Sequence, residues 1–276
     1  MICKPLFKTS SYNDWVILPE FAPLNLISGF PLIMRALILS DIHANLEALE
    51  AVIEDAQGQG GFDTIWSLGD LVGYGPDPEA CIDLIREFDL VSVAGNHDHA
   101  AIGLIDASDF NDAAKVAADW TANQLNSERR EFLAAMPFVS VQGPFTLVHG
   151  SLRDPIVEYL LDRNSAVGTL DLMETIYCLV GHSHIPFVCF EVEGEPEFND
   201  FPEDEPVPLN DNRKIINPGG VGQPRDRDSR PSYAIYDSGE SNIERHRVTY
   251  DIAKTQKKMR SADLPSRLID RLDHGL

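Results

Sequence analysis

The chain has 276 residues, 43% of them hydrophobic and 24% charged, which supplies a sizeable core and excludes overall disorder. Its 22 Lys and Arg face 44 Asp and Glu, a net charge of −22, and a field of that sign argues against general nucleic-acid binding. An anionic substrate needs its positive charge supplied locally, by metal ions or a small arginine cluster.

In chain order, the apolar stretch from Trp15 to Met34 is broken by Pro19, Pro23 and Pro31 and carries Glu20, which spoils both a signal sequence and a membrane span. A strand-like run from Arg35 to Ser40 starts directly after Met34, so residues 1–33 are expected to be a dispensable N-terminal extension. Asn45 is placed to cap a helix whose Leu46, Leu49, Val52 and Ile53 share one face, with Gly58, Gly60 and Gly61 ending it. A strand over 64–68 leads to a helix capped by Asp77 with Pro78 in its first position, then to a strand over 90–94. This βαβαβ order predicts a mainly parallel sheet.

Residues 113–136 read as two helices meeting near Asn126 and Ser127, and strands resume over 145–148, 176–180 and 187–192. The acidic, proline-bearing run 193–213 is expected to be an exposed loop, followed by strands over 214–216, 233–236 and 243–248. The expected organisation is one domain over 34–250 with a helical appendage over 251–276. The cysteines at 3, 81, 178 and 189 lack metal-site spacing, which fits buried, reduced thiols in a cytoplasmic protein.

Five short motifs each follow an apolar run: Asp41-Ile42-His43, Gly69-Asp70, Gly95-Asn96-His97-Asp98, His149-Gly150 and Gly181-His182-Ser183-His184. The carboxyl ends of strands are where α/β sheets place ligands, and five of the eight histidines collect there. Imidazole, carboxylate and amide oxygen together suit two divalent transition-metal ions, manganese first with iron or zinc as alternatives. Asp70 is the candidate bridge between them, and the absence of a cysteine disfavours structural zinc.

The ordered set of motifs resembles the calcineurin-like metallophosphoesterases, whose pattern runs D-x-H, G-D, G-N-H, H and G-H-x-H. The resemblance covers Met34 to about Val192. It implies an α/β fold, a sandwich of two mixed β-sheets flanked by helices. It also implies one ion held by Asp41, His43, Asp70 and His184, a second held by Asp70, Asn96, His149 and His182, and His97 as proton donor. The run from Ile216 to Arg225 resembles the small bacterial and archaeal branch, related to diadenosine tetraphosphatases and Ser/Thr protein phosphatases. Many relatives continue Gly-Asp-x-x-Asp-Arg, whereas this chain has Gly73 and Tyr74 there. The residue that orients His97 is therefore open, with Asp98 and Tyr74 as candidates.

Arg225, with Arg227 and Arg230 behind it, and Arg153 just after His149 are candidate phosphate-binding residues, since guanidinium groups grip phosphate oxygens. The expected activity is hydrolysis of a small, nucleotidic phosphodiester or dinucleoside polyphosphate, with a phosphoprotein or phosphomonoester phosphatase as the alternative. A non-catalytic scaffold of the same fold is a distant alternative. Such a module tolerates loss of metal ligands, whereas every ligand position here holds a competent residue.

Overall fold

Strand β1 (Arg35–Leu39) buries both of its faces: Ala36 and Ile38 point one way, Leu37 and Leu39 the other, and all four are fully buried. A strand of this kind needs a layer on either side. In the computed structural model, which describes residues 33–276, those layers are helices on one side and a second sheet on the other. The expectation for residues 1–33 lies outside the described residues, apart from Ile33 itself.

After β1 come α1 (Leu46–Gly58), β2 (Thr64–Ser67), α2 (Pro78–Ile85) and β3 (Leu90–Ser92), and the three strands run parallel as the βαβαβ pattern predicts. Asn45 caps α1, accepting from the Ala48 amide at 3.3 Å. Asp77 makes no capping hydrogen bond to α2, and its carboxylate instead meets Lys258 Nζ at 2.8 Å. Helices α3 (Asn96–Ala101), α4 (Asp112–Gln124) and α5 (Ser127–Ala135) follow, with Asn126 capping α5 where a junction was expected.

The later half supplies β4 (Val139–Gln142), β5 (Phe145–Val148), α6 (Arg163–Leu172), β6 (Tyr177–Leu179) and β7 (Phe187–Val192). Then come β8 (Glu195–Asp200), β9 (Pro206–Pro208), β10 (Lys214–Asn217), β11 (Ser232–Asp237) and β12 (Asn242–Arg247). The loop expected over 193–213 is thus corrected. Glu193 and Gly194 both take positive φ, which matches the twist of a tight hairpin, and they fold β8 back along β7. The charged residues of β8 face solvent, so this edge strand carries no apolar alternation to betray it.

The strands form two six-stranded sheets, ordered β3-β2-β1-β11-β12-β9 and β4-β5-β6-β10-β7-β8. Antiparallel β11 beside β1 makes the first sheet mixed rather than mainly parallel. Between the sheets lie Ile38, Trp66, Val93, Phe145, Leu147, Leu179 and Ile216, with the Trp66 and Phe145 rings meeting edge-on at 5.3 Å. Helices α1 and α2 cover the outer face of the first sheet, and α6 covers that of the second. The architecture is α/β, two mixed sheets flanked by helices. Cys81, Cys178 and Cys189 are buried and form no disulfide among the described residues.

Helices α7 (Ile252–Ser261) and α8 (Ser266–Asp270), with a 3-10 turn at Arg271–Asp273, close the chain. Met259, Leu268, Ile269 and Leu272 pack with Tyr74, Ala114 and Ala117 in one cluster, so residues 251–276 belong to the same compact unit as the sheets.

Candidate active site

All five motifs emerge at the ends of strands, from β1, β2 and β3 in the first sheet and from β5 and β6 in the second. Four histidines share one design. His43 Nδ1 lies 3.2 Å from the Val72 carbonyl, His149 Nδ1 2.8 Å from that of Leu68, and His184 Nδ1 2.6 Å from that of Gln223. His182 is turned round, with Nε2 3.2 Å from the Val157 carbonyl. A carbonyl only accepts, so each of these nitrogens is assigned the proton and the other ring nitrogen is left with a lone pair.

Those lone pairs face one another. His43 Nε2 stands 3.2 Å from His184 Nε2, and His149 Nε2 stands 3.1 Å from His182 Nδ1 and 3.2 Å from Asn96 Oδ1. Among them lie two buried carboxylate oxygens with no hydrogen-bond partner among the described residues, Asp41 Oδ1 and Asp70 Oδ2. Asp41 Oδ1 is 3.2 Å from His184 Nε2, while Asp70 Oδ2 lies between the groups, 3.6 Å from His43 Nε2 and 3.4 Å from His149 Nε2. Mutually facing acceptors repel unless a cation sits among them. A cation about 2.0–2.2 Å from each ligand sets neighbouring ligand atoms roughly 3–3.5 Å apart, which is the spacing present. Two clusters of donor atoms result, Asp41/His43/His184 and Asp70/His149/His182, and their chemistry fits divalent ions.

The backbone is strained to achieve this. Asp41, His43, Asp70, His182 and His184 all take left-handed φ, between 48° and 63°. Such conformations cost on the order of 1–3 kcal/mol each and persist only where the surroundings over-determine them. Ser40 Oγ and the His182 amide donate to Asp41 Oδ2 at 2.6 and 3.1 Å, which leaves Oδ1 as the free oxygen. Asp98 accepts the amides of Asp70 at 2.8 Å, Gly95 at 3.0 Å and Val72 at 3.1 Å, stitching the second and third loops together. Asn217 donates to the Gly181 carbonyl at 2.8 Å and holds the fifth turn.

Burial is the first influence on every ionisable group here. It lowers His43, His182 and His184, with His182 at about 3. Burial also opposes charge on His149, but Asp70 beside it prevails and lifts this imidazole to about 9. In the metal-free protein a proton therefore competes for the lone pair that the geometry aims at a cation. Burial would raise Asp41, yet the His184 and His149 imidazoles hold it well below the usual carboxylate range. Burial and then repulsion from Asp70 lift Asp98 to about 7, while the amides of Gly95 and Val72 pull it down.

His97 follows Asn96 at the start of α3, buried against Tyr74 (centroids 4.3 Å apart), Phe110 (4.6 Å) and His43 (5.0 Å). Its Nδ1 is buried without a partner among the described residues. Asp98 is occupied by backbone amides, so among the described residues no carboxylate orients His97, and aromatic packing fixes the ring instead. Gly73 makes room for it: at φ +90° a Cβ there would lie 2.7 Å from His97 Nδ1. The missing side chain at Gly73 and the packed His97 are thus one feature.

The arginines separate. Arg153 pairs with Glu158 at the surface, and its charged neighbours are Glu158 and Asp162 rather than the clusters. Arg230 pairs with Asp228 and Glu203. The Arg227 backbone takes φ 71°, and its amide donates to the Gly275 carbonyl at 2.8 Å. Arg225 lies beside Tyr74, its guanidinium 5.9 Å from the ring centroid, and its backbone amide donates to the His184 carbonyl. Sequence reasoning missed Asn217 and the Gln223 carbonyl as braces. The only signal was the turn-forming Asn-Pro-Gly-Gly run, which shows a tight loop but not what it supports.

Residues 34–241 match the calcineurin-like phosphoesterase superfamily domain, and the chain belongs to that family of metal-dependent phosphoric ester hydrolases. A metallophosphoesterase from Sphaerobacter thermophilus of known structure is 44% identical with TM-score 0.81, over 88% of this chain and all of that one. An uncharacterized protein of Methanocaldococcus jannaschii is 37% identical over 243 residues, covering 86% of this chain and 97% of its own. A hypothetical protein of Pyrococcus horikoshii, 20% identical with TM-score 0.72 over 88% of this chain and 98% of its own, shares the fold. No helix among the described residues is long and apolar enough to cross a membrane.

Proposed function

We propose that this chain hydrolyses a small phosphodiester or dinucleoside polyphosphate, with one ion held by Asp41, His43, Asp70 and His184 and the other by Asp70, Asn96, His149 and His182. The observation that carries this reading is the pair of partnerless oxygens, Asp41 Oδ1 and Asp70 Oδ2, ringed by inward lone pairs. When bound, a divalent pair neutralises phosphoryl oxygens and acidifies the attacking water. Asp70 Oδ2 faces both groups and sets their spacing.

His97 moves the proton. Its Nδ1 is shielded by Gly73, so Nε2 is the atom left to meet the departing oxygen. Burial first, and Arg225 among the charges opposing Asp70, hold this imidazole down at about 4; an arriving phosphate anion opposes both and favours the protonated ring. Gly73 and Tyr74 in place of Asp and Arg favour a diester or polyphosphate over a phosphoprotein. Manganese is the expected metal because nitrogen, carboxylate and amide donors are mixed without thiolate. The buried, free cysteines support a cytoplasmic setting. The deciding experiment loads the protein with Mn, counts bound ions by elemental analysis and assays monoesters, diesters, nucleoside polyphosphates and phosphopeptides. About two ions and turnover of diesters or polyphosphates is expected; near-zero metal or a phosphopeptide preference overturns the reading.

A further inference from the structure

The segment that follows β10 is laid along the loops of the first ligand group. The Val221 and Gly222 amides donate to the Ser40 and Asp41 carbonyls, each at 2.9 Å, Asn45 donates back to the Gly222 carbonyl at 2.9 Å, and the Gln223 carbonyl holds His184 Nδ1. Only glycine permits so close an approach at 222, where a Cβ would collide with the Ile42 carbonyl. Farther along, the Arg225 amide meets the His184 carbonyl at 3.4 Å, and the Arg225 guanidinium carbon lies 5.9 Å from the centroid of the Tyr74 ring. That ring is itself 4.5 Å from His43 and 4.3 Å from His97. Backbone and side chain together place Arg225 beside His43, His97 and His184.

Neighbouring arginines are matched by carboxylates. Arg153 pairs with Glu158, Arg230 with Asp228 and Glu203, Arg247 with Asp226, and Arg271 with the chain terminus at Leu276. Arg225 differs. Among the described residues no carboxylate lies within ion-pair distance of it, its Nε is buried without an acceptor, and its Nη2 meets only neutral groups, Gln223 Oε1 at 3.1 Å and Tyr74 Oη at 3.5 Å. A buried donor without an acceptor is costly, and more so when it carries charge. Asp41 and Asp70 do not answer that charge, since their free oxygens face the imidazoles of the ligand groups. Gln223 and Tyr74 therefore steady a positive charge without quenching it, in a chain of net charge −22. The acceptor that would satisfy it is an anion from outside, and the planar guanidinium edge matches two oxygens of a phosphoryl group.

We propose that Arg225 anchors the substrate: its guanidinium receives oxygens of a phosphoryl group beside the Tyr74 ring, so that the chain holds the anion in addition to any metal ion. This rests on the proposed phosphoesterase function and adds to it a residue that touches the substrate without handling the proton. Its contribution is therefore independent of the leaving group, which separates it from His97.

The test uses the full chain and its Arg225→Gln and Arg225→Lys variants, each treated with Mn and checked for melting temperature and metal content. Inorganic phosphate is then titrated into each by calorimetry, a readout that needs no turnover. Affinity is expected to fall about tenfold in Arg225→Gln and less in Arg225→Lys, which keeps the charge but not the fork. On turnover, kcat/KM in Arg225→Gln is expected to fall about tenfold or more on alkyl and p-nitrophenyl diesters alike, at unchanged metal content. No measurable phosphate binding by the wild-type protein, unchanged affinity in Arg225→Gln, or a loss of turnover confined to alkyl esters overturns the proposal. Loss of bound metal in both variants overturns it as well, since Arg225 would then be a brace of the ligand loops. If wild-type protein hydrolyses no ester, the proposed function fails while the phosphate titration still decides this one.

Discussion

The inner ligand shell and the mouth of the site obey different rules. Every inner imidazole has one nitrogen fixed by a backbone carbonyl, five ligand candidates sit on strained left-handed backbone, and Asp98 and Asn217 lock the loops from behind. At the mouth, Tyr74 and Arg225 are held by packing and one or two long contacts, and Tyr159 is 46% exposed while stacked 3.9 Å over His182. The shell is built so that its chemistry cannot drift. The mouth is built so that its occupant can differ, and this is why reaction class is much plainer than substrate.

The largest effect should come from breaking the shell at its shared atom. Asp70→Asn weakens both groups at once and should lower turnover on the order of 10⁴-fold, with loss of bound metal read by elemental analysis. A variant that kept both ions and most of its rate would remove Asp70 as the bridge. His97→Ala lies where shell meets mouth. It should keep both ions yet lose about 10²- to 10³-fold on alkyl esters and far less on p-nitrophenyl esters, whose leaving group departs without a proton. Equal losses on both would make His97 a positioning residue.

Gly73→Ala tests whether packing alone orients that ring. The added Cβ must move His97, and the left-handed φ adds about 1–3 kcal/mol of strain, so the melting temperature should fall and the rate with it, at full metal occupancy. Asp98→Asn should cost about 2–4 kcal/mol, because an amide nitrogen then faces backbone N–H donors, and chemical denaturation would register the loss. The gentlest perturbation is that of pH on metal uptake, since it changes no residue. With His149 lifted to about 9 in the metal-free protein, a proton occupies its lone pair below that pH, so affinity should rise by up to tenfold per unit as pH increases towards 9. Affinity flat between pH 6 and 8 would mean that His149 does not carry that proton.

Much of this was legible in the sequence, for reasons that differ by element. The parallel βαβαβ start was readable because fully buried strands and amphipathic helices each leave a periodic apolar signature. Strand β8 was not, since its outward charges look like those of a loop until β7 is seen beside it. The candidate ligands were readable because their motifs stand at strand ends in order. Asp98 was noticed, but its task was not, as nothing in Gly-Asn-His-Asp distinguishes a side chain aimed at His97 from one aimed at three amides.

The candidate ligands leave two different sheets, Asp41, His43, Asp70 and Asn96 from the first and His149, His182 and His184 from the second. Each proposed ion would draw ligands from both sheets, so the fit of each ligand set follows the spacing of the sheets, set by how Trp66, Phe145 and their neighbours fill the space beneath. The protein acts as a calliper whose jaws are the two sheets and whose hinge is the core. Thinning that core, as by Phe145→Leu, should alter the magnetic coupling between two bound Mn ions without touching a ligand. In such a molecule hydrophobic packing far from the chemistry is a way of tuning how closely a ligand set can shut on its ion.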